Sequence, residues 1–126
     1  MSTDFYGHPV ISLTSDHLRL DVLAEAGPRI VRLMLAGSDD NLLAEVPNKG
    51  WDTPYGYFAL FGGHRLWHAP EASPRSYIPD SDGVRVERTE RGAVLSRVEA
   101  GTSIAKRVEI ELDPGRPAVT LHHTLE

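Results

Sequence analysis

Ten consecutive residues, Gly62-Gly63-His64-Arg65-Leu66-Trp67-His68-Ala69-Pro70-Glu71, bring together two glycines, two imidazoles, a guanidinium, an indole and a carboxylate, and Tyr77, Pro79 and Asp80 follow closely. A segment whose only task is to turn a corner needs none of that chemistry. An indole face suits the C–H face of a sugar ring, while planar guanidinium and carboxylate groups meet paired hydroxyls with two-point hydrogen bonds. The composition of the segment therefore points to a polyhydroxylated small molecule such as a sugar. Arg65, Trp67, His68, Glu71, Tyr77 and Asp80 are the candidate substrate-binding residues, and His64 is the candidate acid–base residue. The plainer alternative is a packed Trp beside a surface ion pair.

Other chemistries fit these residues less well. His64 and His68 are four apart, a spacing that on a helix would turn both imidazoles to one face with Glu71 or Asp80 to complete a metal site. A helix is opposed by Gly62 and Gly63 before the first His and Pro70 after the second, and Arg65 stands where a His-Glu-x-x-His motif needs its Glu. The charge of Arg65 would also repel a cation. No metal and no cofactor are expected. Ser73 and Ser76 lack a Gly-x-Ser-x-Gly elbow, and Gly62-Gly63 is not followed by the Gly-Lys-Ser/Thr of a phosphate loop. What remains is acid–base work on a sugar, which needs a His or carboxylate near neutrality and an Arg to hold neighbouring hydroxyls.

These residues need elements to position them. The chain has 126 residues, the size of one domain, with 40% apolar and 25% charged residues, as in ordinary globular proteins. Its net charge of −5 and scattered basic residues argue against nucleic acid as a partner. The start, Met1 to Tyr6, has no basic region followed by an apolar run, and no stretch is long and apolar enough to span a bilayer, so the expectation is no membrane partner and a cytoplasmic location. With no cysteine there is no disulfide framework.

The hydrophobic period is close to two. His17 to Val22 alternates without a break, and Ser103 to Leu112 puts Ile104, Lys106, Val108, Ile110 and Leu112 on one face. Strands are also predicted for Val10–Leu13, Arg29–Leu35, Leu42–Glu45, Tyr57–Phe61, Val84–Arg88, Ala93–Val98 and Ala118–Leu125, with turns around Gly27-Pro28, residues 37–41, Arg91-Gly92 and residues 113–117. The fold class is all-β, an antiparallel β-sandwich. From Pro47 to Pro79 five prolines and four glycines interrupt the rhythm, and this stretch holds both tryptophans. It reads as a long irregular excursion serving as the binding region, with a short strand inside. Trp51, Tyr55 and Tyr57 are either core aromatics or a stacking platform. His122 and His123 fall on opposite faces of the last strand, and the plainer reading leaves both as packed or surface imidazoles.

The strands Ile11 to Val22, the turn and strand Gly27 to Leu33, the Asn41-Leu42-Leu43 segment, and above all Phe61-Gly62-Gly63-His64-Arg65-Leu66-Trp67 with Pro70-Glu71 and Tyr77-x-Pro79-Asp80 resemble galactose mutarotase-like proteins, the aldose 1-epimerases and their relatives. The resemblance implies a two-sheet supersandwich, sugar contacts at Arg65 and His64, and an isomerase using His and Glu acid–base chemistry. Such proteins are longer, and their glutamate base and second functional His fall in the half that would follow Glu126. The resemblance thus makes residues 1–126 a single domain, the N-terminal half of a longer supersandwich without its distal base. Two alternatives stay open: a non-catalytic sugar-binding module, and a structural domain that dimerises through sheet edges. A sandwich cut in mid-pattern would leave Ala118 to Leu125 without neighbours, so a homo-oligomer through exposed strands is expected, with Lys106 as a guard against such pairing.

Overall fold

A computed structural model describes residues 4–126; Met1, Ser2 and Thr3, part of the N-terminal segment read above as lacking a leader, lie outside them. The strands are β1 (Asp4–Phe5), β2 (His8–Thr14), β3 (Leu18–Leu23), β4 (Arg29–Leu35), β5 (Glu45–Thr53), β6 (Gly56–Gly62), β7 (His64–Arg65), β8 (Arg85–Thr89), β9 (Gly92–Val98), β10 (Ala105–Leu112) and β11 (Val119–Leu125), with one short 3₁₀ turn at Arg75–Tyr77. All pairings are antiparallel. The first sheet runs β1-β2-β3-β4-β7, the second runs β11-β10-β9-β8, and β5-β6 form a separate hairpin.

The alternation of each strand reports how many of its faces are covered. In β10, Lys106, Val108, Ile110 and Leu112 are buried while Arg107 and Glu111 are exposed, because only one face of the second sheet meets another layer. In β3 both faces are largely buried. Leu18, Leu20 and Val22 pack with Leu13 and Ile30 against Ala93, Leu95, Val108, Ile110 and Leu112 of the second sheet. On the opposite side of the first sheet Leu23 joins Phe5, Ala26, Val31 and Phe61. The fold is therefore a β-sandwich whose first sheet carries a hairpin on its back.

A bulge in β4 makes this double burial possible. Asp21 faces Arg32 but Val22 faces Ile30, so Val31 is an extra residue in the ladder. Ile30 and Leu33 can then both pack toward the second sheet while Val31 turns to the hairpin side. On that side Asp21 is fully buried, and its carboxylate accepts bonds from Ser12 at 2.7 Å, Arg19 at 3.0 Å and Arg32 at 3.1 Å. A buried carboxylate with that many donors is satisfied.

Three expectations need correction. Residues 42–44 are not strand, because the Asn41 side chain takes the bonds a strand backbone would have made: its Oδ1 accepts from Leu33 N and Leu43 N, and its Nδ2 donates to the Val31 carbonyl. The strand begins instead at Glu45 and continues to Thr53, so the first half of the supposed irregular excursion is a regular hairpin. Pro47, which lacks an N–H, is absorbed by a register shift between Val46 and Gly50, and Thr53-Pro54-Tyr55-Gly56 closes the turn with Thr53 Oγ1 bonded at both ends. Lys106 guards no edge: β10 is paired on both sides, and the buried ammonium sits 2.7 Å from buried Glu99. β11 is paired to β10 along its whole length, Val119 and Leu121 pack onto the core, and its other edge pairs with no strand among the described residues.

Candidate functional site

The Gly62-Gly63 pair carries the chain from the hairpin into the first sheet. Phe61, Gly62 and Gly63 all have left-handed backbones, with φ of 58°, 92° and 70°. A Cβ on Gly62 would strike the Ala44 carbonyl, and one on Gly63 the Ile30 carbonyl, so only glycine permits this crossing. Gly63 N donates to Ala44 O at 2.8 Å, and the next two residues pair with β4, His64 opposite Ile30 and Arg65 opposite Arg29. Strand parity then divides the motif. Arg65 shares the hairpin side with Arg29, and His64 faces the second sheet with Ile30.

On the hairpin side two arginines do different work. Arg29 is fully buried, holds Asp80 with Nε to Oδ2 at 2.9 Å and Nη2 to Oδ1 at 3.1 Å, and donates to the backbone carbonyls of Leu60 and Ala59. Its guanidinium lies against the rings of Phe58 and Phe61. Every nitrogen of that head is engaged. Arg65 donates to the Ser76 carbonyl, its Nε has no partner, and it forms no ion pair among the described residues. Its guanidinium lies 4.7 Å from the Phe58 ring centre and 4.6 Å from that of Trp67. Burial, and then the positive charge of Arg29, pull its pKa down to about 10, against the opposing pull of Asp80 and Glu99.

These residues frame a cleft of about 370 Å³ lined by Arg29, Trp51, Leu60, Gly62, Gly63, Arg65, Trp67 and Tyr77. Its aromatic walls support one another. Trp51 meets Tyr77 edge-on at 5.0 Å and leans on Phe58 at 5.2 Å, and Trp67 meets Tyr77 at 6.1 Å. Trp51 and Trp67 remain 40% and 41% exposed, so each offers ring surface to a ligand. The size suits a monosaccharide-scale guest, and the mixture of flat apolar walls with one convergent polar head is that of a small-molecule site.

The predicted residues thus divide. Arg65, Trp67 and Tyr77 line the cleft together. Glu71 is exposed and accepts the Tyr77 hydroxyl at 2.5 Å, a bond that raises the tyrosine pKa. Asp80 is buried with both oxygens on Arg29, so it holds the loop rather than facing the cleft. His68 does not line the cleft, and both of its ring nitrogens are buried without a partner. His64 is directed away from the cleft: its Nε2 is 2.9 Å from Nε2 of His123 on β11, with the rings stacked at 5.0 Å. Burial, and then the neighbouring His123, lower the His64 pKa. Ser76 serves structure too, its hydroxyl accepting from Ala72 N at 2.8 Å.

Sequence reasoning left Trp51 undecided and did not single out Arg29. Trp51 reaches the cleft because it pairs with Phe58 across the hairpin, and Arg29 because it pairs with Arg65 across the first sheet. No local pattern carries either pairing. A larger depression of about 580 Å³ lies along the second sheet, lined by residues including Arg85, Arg97, Lys106 and Arg107. It has no aromatic wall, and those cations already face Glu87, Asp82, Glu99 and Glu109, so it is the weaker candidate.

Among the described residues no three His, Asp or Glu side chains gather as a metal site, and no helix is long and apolar enough to cross a membrane. No protein-family model, curated protein or solved structure matches the chain.

Proposed function

We propose that this chain is a carbohydrate-binding domain of mutarotase-like type, in which a sugar lies in the cleft between the hairpin and the first sheet. The observation that supports it is Arg65, a guanidinium with no carboxylate partner among the described residues, standing among the exposed rings of Trp51 and Trp67 and the half-buried ring of Tyr77. Sugar C–H faces stack on the rings, and the arginine fork holds two hydroxyls. The test is calorimetric titration with hexoses. Trp67→Ala should lose about tenfold or more in affinity while hardly moving Tm, since so much of the ring is exposed. Undiminished affinity in that variant would remove the stacking platform, and the reading with it.

Catalysis is the second reading, and the His64–His123 pair favours it. Two imidazoles joined through Nε2 can pass one proton between them, and the lowered pKa of His64 keeps it neutral near pH 7, as a general base must be. The pair lies across β7 from Arg65, so a sugar in the aromatic cleft is out of its reach. Binding without catalysis is therefore the function this geometry supports best. NMR exchange between anomers of glucose and galactose, compared with buffer, separates the two readings.

A further inference from the structure

We propose that the sugar this cleft takes is an acid, a hexuronate or similar monosaccharide whose carboxylate pairs with Arg65. The inference rests on the sugar-binding reading and adds the charge of the guest. The other arginines on the strands of the first sheet have a carboxylate: Arg29 has Asp80, and Arg19 and Arg32 share Asp21. Arg65 has only the Ser76 carbonyl and an Nε with no partner. A guanidinium removed from water without a counter-charge is costly for the fold, and it becomes an asset when a ligand supplies the anion.

The surrounding charges fix the size of the deficit. Arg65 feels the charges of Arg29, Asp80 and Glu99 and the phenol of Tyr77, and of these Asp80 is held by Arg29 at 2.9 Å and Glu99 by Lys106 at 2.7 Å. Three cations then face two carboxylates, and one positive charge is left over. A monoanion closes that balance, whereas a phosphate dianion would ask for a second free donor head. Arg29 cannot be that head, because its Nε and both Nη are committed to Asp80, Ala59 and Leu60. Glu71, the other carboxylate tied to a cleft residue, is exposed and held by the Tyr77 hydroxyl. A carboxylate is also planar, so it can meet the guanidinium edge-on while the pyranose ring turns to Trp67.

Titration of the full chain with galacturonate and glucuronate, their methyl esters, the parent hexoses and acetate tests the proposal without altering the protein. The acids should bind about tenfold tighter than ester and hexose, the step between neutral and charge-assisted hydrogen bonds, and the gap should narrow with added salt. Arg65→Gln should bring acid and ester to the same affinity; because Arg65 also braces the loop at Ser76, the ester series on the parent chain decides the matter if that variant fails to fold. Equal affinity for acid, ester and hexose would overturn the inference and leave the sugar reading standing. Acetate binding as tightly as the uronates, or no binding by any of the sugars, would overturn both.

Discussion

The Arg29–Asp80 pair is the joint on which the cleft depends, and removing its charge balance should be costly. Arg29 is wholly enclosed, with Phe58 and Phe61 against its guanidinium, and Asp80 is the only carboxylate it touches among the described residues. Breaking a buried ion pair by deleting one partner costs about 3–5 kcal/mol, because the other charge is left without compensation. Asp80→Asn keeps one acceptor for one of the two bonds, which places it near the lower end, about 3 kcal/mol. For a chain of this size about 4 °C of Tm accompanies each kcal/mol, so the variant should melt about 12 °C below the parent. Total stability of about 5–15 kcal/mol still leaves it folded at room temperature.

A cycle with Arg29→Leu distinguishes charge pairing from general packing damage. Arg29→Leu should cost more than Asp80→Asn, because it also strips the Ala59 and Leu60 carbonyls of their donor, about 1–3 kcal/mol for each buried group left unsatisfied. The double variant Arg29→Leu/Asp80→Asn should recover part of the loss of Arg29→Leu alone, since no lone charge remains. Urea denaturation and calorimetry at neutral pH read all four corners. An Asp80→Asn shift below about 2 °C, or strict additivity in the cycle, would refute the reasoning.

Lys106→Met leaves Glu99 as a buried carboxylate without its ammonium, so it should destabilise by about 3–5 kcal/mol, whereas Lys106→Met with Glu99→Leu should restore most of that; urea midpoints give both values. His64 is held below its ordinary value of 6.5, so the unfolded chain binds its proton first on acidification. Its contribution to stability is full above that value and is lost as pH falls through the lowered one; Tm of the parent should fall more steeply than Tm of His64→Gln as pH drops below 6.5, and parallel curves would exclude the linkage.

The sandwich was legible because its strands show their burial in period two. The second sheet, covered on one face only, alternates as its sequence does, from Ala93 through Leu95 and from Val108 through Leu112. The hairpin was not legible, because β5 carries Pro47 and Gly50, both read as breaks. The sequence cannot show that a register shift absorbs the first, nor that the second leaves space which the Phe58 carbonyl and Tyr57 ring already occupy. For the site, the residue types were visible and their directions were not. His64 and Arg65 are neighbours in sequence and so opposite in space, a consequence of strand parity available only once β7 is known to be a strand. His123, read from the sequence as a packed or surface imidazole, is the partner that the parity selects. It occupies the core-facing register of β11 opposite Val108, while His122 opposite Glu109 faces outward. The same parity that separates the acid–base candidate from the sugar anchor also brings Arg29 beside Arg65, and of these two adjacent guanidiniums Arg29 alone holds a carboxylate among the described residues, Asp80. A motif that reads as one catalytic cluster thus becomes, through two strand residues, a binding face on one side of the sheet and an imidazole pair on the other.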